Sequence, residues 1–289
     1  MGPQVAGMAL LLVTIVGWGI NWPVMKLLLA EWPPLFSRGS SGLFAGVGVG
    51  LVALLQGERL TLPPGSRVRM MIAALFNVTA WMGLATIAMK WLSVGEAAMI
   101  VYTMPIWATL LAWPLKGTRP TPTGVLALVL GMSGIAALLA GQVAPMQGTR
   151  LLGVVCAFSA AILFAISTVA VRPPAGVEPT ASTAWQLGLG SLPMLLAGVF
   201  IEQPESYALG IAAFWSWAYM AVVAMGLCYV CWFGALRRLP PTMASLGTML
   251  IPVIGTISAA LFLGEPLGLR QAVALCLVIC GIGLALRSH

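Results

Sequence analysis

Long apolar runs alternate with short charged breaks along the chain. Asp, Glu, Lys and Arg are missing from 1–25, 39–57, 70–89, 97–115, 120–149, 151–171, 179–201, 206–236, 239–264 and 271–286. A helix needs about 20 apolar residues to cross a hydrocarbon core ~30 Å thick. The pattern therefore predicts ten membrane-spanning helices, at Val5–Leu29, Pro34–Gln56, Arg69–Leu92, 97–115, Thr123–Leu139, Leu151–Val171, Thr180–Ile201, Ala208–Leu236, 239–264 and Leu267–Leu286. The last uncharged interval is short, and its span is complete if Arg270 sits at the rim.

The chain repeats itself. Adding 147 to a position between Leu92 and Gly134 lands on its counterpart: Leu92 on Leu239, Ala97 on Ala244, Pro105 on Pro252, Ala112 on Ala259, Gly117 on Gly264 and Gly134 on Gly281. A mid-span proline, small residues and span-end glycines at one offset mark a duplicated unit. The second copy opens at the sixth span, where Phe164 echoes Trp18 and Arg172 echoes Lys26 at an offset of 146. The expected organisation is a first repeat at 1–141, a second at 149–287 and a connecting loop at 142–148. An odd number of spans per copy makes the second enter the membrane from the opposite side. Such inverted repeats characterise secondary transporters, with the binding site near the midplane between the copies.

Composition fits this picture. The 289 residues are 60% hydrophobic and 7% charged, where soluble domains carry about 25% charged residues. The fold class expected is an all-α integral membrane protein of ten helices in two inverted five-helix repeats. With the N-terminus inside, inner segments carry Arg59, Arg67, Arg69, Lys116, Arg119, Arg172, Arg237, Arg238 and Arg287. Outer ones carry only Lys26, Lys90, Arg150 and Arg270, and Arg38 lies within the second span near its outer end. The bias predicts both termini in the cytoplasm. The net charge of +7 then reflects topology, and no nucleic-acid partner is expected. The first span lacks a basic leader and a small-x-small cleavage site, so it is expected to be retained.

Several spans carry unusual residues. The first holds Gly17-Trp18-Gly19-Ile20-Asn21-Trp22-Pro23, a bend facing a cavity or a kink with Asn21 bonded to a neighbour. Gly42, Gly46 and Gly50 form a smooth packing face on the second. Asn77, Trp81 and Ala85 share one stripe of the third, which suits either a wet cavity or an inter-helix hydrogen bond. Glu96, at the start of the fourth, is expected to stabilise a helix N-terminus. In the eighth, Trp215, Trp217 and Tyr219 suggest an interfacial belt. Gly131, Gly134, Gly281 and Gly283 suggest contacts between the fifth and tenth spans. Cys228-x-x-Cys231, buried without His or Asp nearby, reads as small apolar packing.

The chemistry that is missing narrows the function. There is no aspartate, and His289 at the tip is the only histidine. No metal site or cofactor is expected, and the absence of a P-loop argues against direct use of ATP. Without a Ser-His-Asp set or paired buried carboxylates, an enzyme is not expected.

Trp-Gly-x-Asn with a closing Lys in the first span, Gly95-Glu96-Ala97-Ala98 through Pro105 in the fourth, and Leu263-Gly264-Glu265-Pro266 after the ninth resemble the EamA family of the drug/metabolite transporter superfamily. The likeness extends to YddG-like amino-acid exporters. It implies a ten-span inner-membrane transporter whose cavity is walled by spans one, three, four, six, eight and nine. By this resemblance, Trp18, Asn21, Asn77, Trp81, Met99, Tyr102, Phe158, Tyr229, Trp232, Ser245 and Met249 are candidate substrate contacts. Gly17, Gly19, Pro23, Pro105 and Pro252 are candidate bending points. The central parts of the spans carry no charge, so the cavity is expected to be uncharged and lined by aromatic, amide and hydroxyl groups. Such a surface suits amino acids or similar zwitterionic or neutral metabolites, moved by alternating access without obligatory proton coupling. Export of drugs or other neutral metabolites, and a passive channel, are the alternative readings. The partners expected are a small-molecule substrate and the lipid bilayer, and glycine faces suit a monomer and a homodimer equally.

Overall fold

In hydrocarbon, backbone N–H and C=O groups must find partners within the protein, and for runs this apolar the helix is the form that provides them. The structure, a computed structural model, describes residues 2–117, 119, 121–140, 148–171, 176–205, 208 and 210–287, with backbone only at 138–140, 241, 242, 245, 246 and 285–287. Arg172, His289 and the expected loop 142–148, except Gly148, lie outside the described residues. Helices account for nearly all of the rest, with no strand among the described residues. They are α1 Pro3–Leu28, α2 Pro34–Leu55, α3 Arg67–Ala88, α4 Val94–Lys116, α5 Pro122–Ala140, α6 Thr149–Ala170, α7 Pro179–Glu202, α8 Ile211–Leu236, α9 in two pieces Pro241–Thr248 and Leu250–Leu263, and α10 Leu269–Arg287. Seven of them, α1 to α4 and α6 to α8, are long and apolar enough to cross a membrane. Shorter apolar helices run over Pro122–Ala137, Leu250–Leu263 and Leu269–Leu284.

Local signals account for the ends and the breaks. Proline opens α1, α2 and α7 in the first turn, where a missing N–H is harmless. Gly117 and Gly264 end α4 and α9 in the left-handed conformation, at φ 74° and 67°, which glycine adopts without strain. Pro105 and Pro252 interrupt the same two helices. A proline ring clashes with the carbonyl four residues back, here those of Val101 and Thr248. The first helical piece of α4 ends at Val101, and that of α9 ends at Thr248. Helices α4 and α9 are thus broken, at points 147 residues apart.

Helices α3 and α8 share another irregularity. Each contains a π-helical stretch, Leu75–Ala80 and Tyr219–Leu227, and the first falls within the second when 147 is added.

The packing follows the duplication. Helix α1 lies against α8 and α9, and α6 lies against α3 and α4; α2 pairs with α7, and α5 with α10. Exchanging each helix for the one five places along leaves this set of partners unchanged. Glycine allows the two central pairs to close. A Cβ on Gly39 of α2 would stand 2.3 Å from the Leu195 backbone nitrogen, and one on Gly46 3.0 Å from that of Gly188. In α5 and α10, a Cβ on Gly134 would meet the Ala274 carbonyl at 2.8 Å, and one on Gly281 the Ala127 carbonyl at 2.7 Å.

The expected aromatic belt on α8 is divided. Trp215 faces outward, 66% exposed, while Trp217 and Tyr219 turn inward, donating to Ser40 Oγ at 3.1 Å and to the Gly17 carbonyl at 2.9 Å.

Gly39→Ala puts a methyl group against backbone that cannot step aside, and overpacking of this kind costs about 1–3 kcal/mol. Gly48, with nothing within 4 Å of its would-be Cβ, is the control, since alanine there gains about 0.5–1 kcal/mol of helix propensity. In detergent melts followed by tryptophan fluorescence, Gly39→Ala melts below wild type and Gly48→Ala does not. Equal melting of the two variants contradicts the packing account.

Candidate functional site

A cavity of about 930 Å³ lies between the halves. Its walls pass from buried residues (Trp22, Met25, Arg38 and Thr86) to exposed ones (Lys116 and Thr168). It is therefore closed at the end where α4 begins and open where α4 ends.

The breaks in α4 and α9 and the π stretches of α3 and α8 all contribute to it. Tyr102 stands in the α4 break and Met249, 147 residues on, in the α9 break, and both face the cavity. Asn77 and Val78 of the α3 π stretch line it, as do their counterparts Ala224 and Met225 of α8. A π turn leaves carbonyls without their usual helical partner, and Trp18 Nε1 donates to the Ala224 carbonyl at 2.8 Å. Matching aromatic pairs flank the space. Trp18 and Tyr229 have ring centroids 5.3 Å apart across α1 and α8, and Trp81 and Phe164 are 5.3 Å apart across α3 and α6. Trp18 also lies 5.8 Å from Trp232, and Trp22 lies 6.1 Å from Tyr102.

Of the candidate contacts, Trp18, Asn21, Asn77, Trp81, Tyr102, Tyr229, Trp232 and Met249 come together on this surface. Met99 does not; it is fully buried, beside Ala274 of α10. Phe158 is also elsewhere, its ring edge-on to Trp107 at 6.2 Å. The side chain of Ser245 lies outside the described residues. For Asn77 both readings hold, because it lines the cavity while its Nδ2 donates to Gln186 Oε1 at 2.9 Å.

Among the candidate bending points, Pro105 and Pro252 follow the helix breaks. Gly17, Gly19 and Pro23 do not bend in that way, since α1 is unbroken from Pro3 to Leu28. The two glycines instead admit neighbours. A Cβ on Gly17 would meet Cys228 Sγ at 2.4 Å, and one on Gly19 would meet Ile254 Cγ2 at 2.5 Å.

The expectation of an uncharged cavity is corrected. Arg38 and Lys116 line it, and no carboxylate does among the described residues. Arg38 is 6% exposed, so it is an interior cation rather than an interfacial one. The six expected walls are also joined by α2 through Arg38, α7 through Thr183, Gln186 and Leu187, and α10 through Ile282. A charge within a span was the available signal for Arg38. Gln186 could have been found as the amide opposite Asn77 only once the α3–α7 contact was known.

The closed end is held by ionic contacts between helix ends. Lys26 Nζ donates to the carbonyls of Met89 at 2.5 Å and Leu92 at 2.7 Å. Ser93 and Glu96 form a capping box at the start of α4, as expected for Glu96, and Arg150 of α6 pairs with the same carboxylate. Glu265 accepts from the Val94 and Gly95 amides at 2.9 and 3.4 Å. At α2, Glu202 accepts from Leu35 and Phe36 at 2.9 and 3.0 Å, and at α8, Glu31 accepts from Gly210 at 2.7 Å. Carboxylates at helix N-termini satisfy unpaired amides and the helix dipole together. At the other end, Glu58 does the same for Ala181 of α7 at 2.8 Å.

The profile of the EamA-like transporter family matches residues 5–140 and again 151–287. The uncharacterized transporter YvbV of Bacillus subtilis is 28% identical, over 98% of this chain and 92% of its own length. A protein named a probable amino-acid metabolite efflux pump, from Salmonella typhimurium, is also 28% identical, over 94% of this chain and 92% of its own. One crystal structure superposes with a TM-score of 0.71 over 98% of this chain and 96% of its own at 17% identity, a likeness of fold alone.

Hydrogen bonds to charged groups contribute about 1.5–3 kcal/mol, so Glu265→Ala should loosen the start of α4. Hydrogen exchange read by mass spectrometry should rise by roughly tenfold or more in peptides covering 94–99. Peptides from α2 and α7 should keep their wild-type rates. Unchanged exchange at 94–99 contradicts the hold of Glu265 on the start of α4.

Proposed function

The chain belongs to the EamA-like transporter family, of the drug/metabolite transporter superfamily, and on that premise we propose that it exports amino acids or similar small metabolites by alternating access. It is an integral membrane protein, and its bacterial relatives point to the plasma membrane. In the proposed arrangement the three shorter apolar helices also cross, giving ten spans. The repeats are 1–141 and 149–287, related by inversion, with both termini in the cytoplasm. The cavity then opens inward, and the Glu96–Arg150 and Glu265 contacts close its outer side.

The observation that carries this reading is the cavity itself. It is built from equivalent parts of both halves, sealed at one end and open at the other. Its volume lies within the roughly 300–1,000 Å³ range of small-molecule sites. The name of the Salmonella protein supports amino-acid metabolites and outward movement. The sealed end speaks against a passive channel. The Trp, Met and Tyr lining favours, as a second reading, export of larger apolar compounds.

The test is flux of labelled threonine, methionine and phenylalanine in liposomes containing the purified protein. Saturable flux with counterflow is expected. No saturable flux for any amino acid overturns the assignment. Since no cavity wall among the described residues carries a carboxylate, an imposed pH gradient should leave the initial rate unchanged. Flux that requires the gradient and is lost in Glu96→Gln contradicts uncoupled transport.

A further inference from the structure

The closed end of the cavity holds a cation without an anion. Arg38 is one helical turn into α2 and lines the cavity. Its Nε has no hydrogen-bond partner, and Nη1 has only Met25 Sδ at 4.0 Å. Of the carboxylates at this end, Glu31, Glu202 and Glu265 are committed to helix amides and Glu96 to Ser93 and Arg150, and Glu205 is exposed on the α7–α8 connection. Membrane spans keep such a charge for work, because an uncompensated cation there costs several kcal/mol.

Opposite charge of the right shape resolves the imbalance. A guanidinium presents a planar fork of donors that matches a carboxylate in two parallel bonds. The amine of a zwitterion has no such partner. The cavity offers it Asn21 Oδ1, which is buried and unpartnered, and the faces of tryptophan rings, each weaker than an ion pair. Lys116 stands exposed at the opposite, open end, so at the closed end one buried cation balances one negative charge and a dianionic phosphate ester would be left with an excess.

We propose that the cavity is a carboxylate-selective site in which Arg38 binds the substrate's carboxylate, and that the substrate's amine is dispensable. Apolar monocarboxylates lacking an amine are then ligands alongside apolar amino acids, and the corresponding amines are not. This rests on reading the cavity as the transport site.

The experiment is calorimetric titration of the purified full chain with phenylalanine, 3-phenylpropionate, phenethylamine and phenyl phosphate. The two carboxylates should bind within about tenfold of each other, and phenethylamine and phenyl phosphate roughly 100-fold more weakly, as expected when a buried charge pair is missing or mismatched. Arg38→Met should weaken both carboxylates by a similar ~100-fold and leave phenethylamine unchanged, with Arg38→Lys between. Thermal melts separate this role from a structural one. Without ligand, Arg38→Met should melt no lower than wild type, and 3-phenylpropionate should raise the melting temperature of wild type only.

Equal binding of amine and acid, no binding of either acid, or carboxylate affinity that survives in Arg38→Met overturns the proposal. The wild-type panel decides even if no variant folds. Carboxylate binding without amino-acid flux would sink the amino-acid assignment and leave the Arg38 anchor standing. Amino-acid flux with equal acceptance of the amines would do the reverse.

Discussion

A bilayer leaves no water for backbone polar groups, and that constraint shapes both the helices and the places where they fail. Non-helical backbone at membrane depth is tolerated only when buried in protein or lining a cavity. The α4 and α9 breaks and the π stretches of α3 and α8 obey this rule, because all four contribute residues to one surface. The prolines that cause the breaks are therefore also what brings Tyr102 and Met249 to the cavity. Glycine supplies the complementary condition elsewhere, letting α2 reach α7 and α5 reach α10 at distances no side chain would allow.

The duplicated halves agree in shape and differ in charge. At the closed end, Glu96 and Glu265 hold the start of α4. The positions 147 residues away are Met243 and Thr118, neither of which can act as an anionic cap. In the proposed alternating-access cycle, matching walls with unequal latches would not divide the time evenly between two closures. The contacts seen here favour the state with α4 fastened. Weakening them shifts the balance by roughly the strength of a few charged hydrogen bonds, enough to change populations tenfold or more.

Much of the fold could be read from spacing. The 147-residue offset found the duplication, and the helix breaks and the left-handed glycines that end α4 and α9 keep to it. The eight candidate contacts that reached the cavity are mostly aromatic or amide residues beside irregular backbone. Met99 and Phe158 were misplaced because helical periodicity in a fully apolar span does not distinguish the face toward a cavity from the face toward another helix. Arg38 was missed because its nearness to a span end looked like an interfacial position. Only tertiary packing shows that Arg38 is buried, with Met25 of α1 against its Nη1. Closure at one end was likewise illegible, since Glu265 and Val94 are 171 residues apart in the chain.

The central claim is that substrate sits between the two halves, among Trp18, Trp81 and Tyr229. The most direct measurement is a crystal structure with 4-iodophenylalanine, located by the anomalous signal of its iodine. The account predicts one iodine site within the cavity, with the carboxylate on the closed-end side. An iodine site on the lipid-facing surface, or none at saturating ligand, would contradict it.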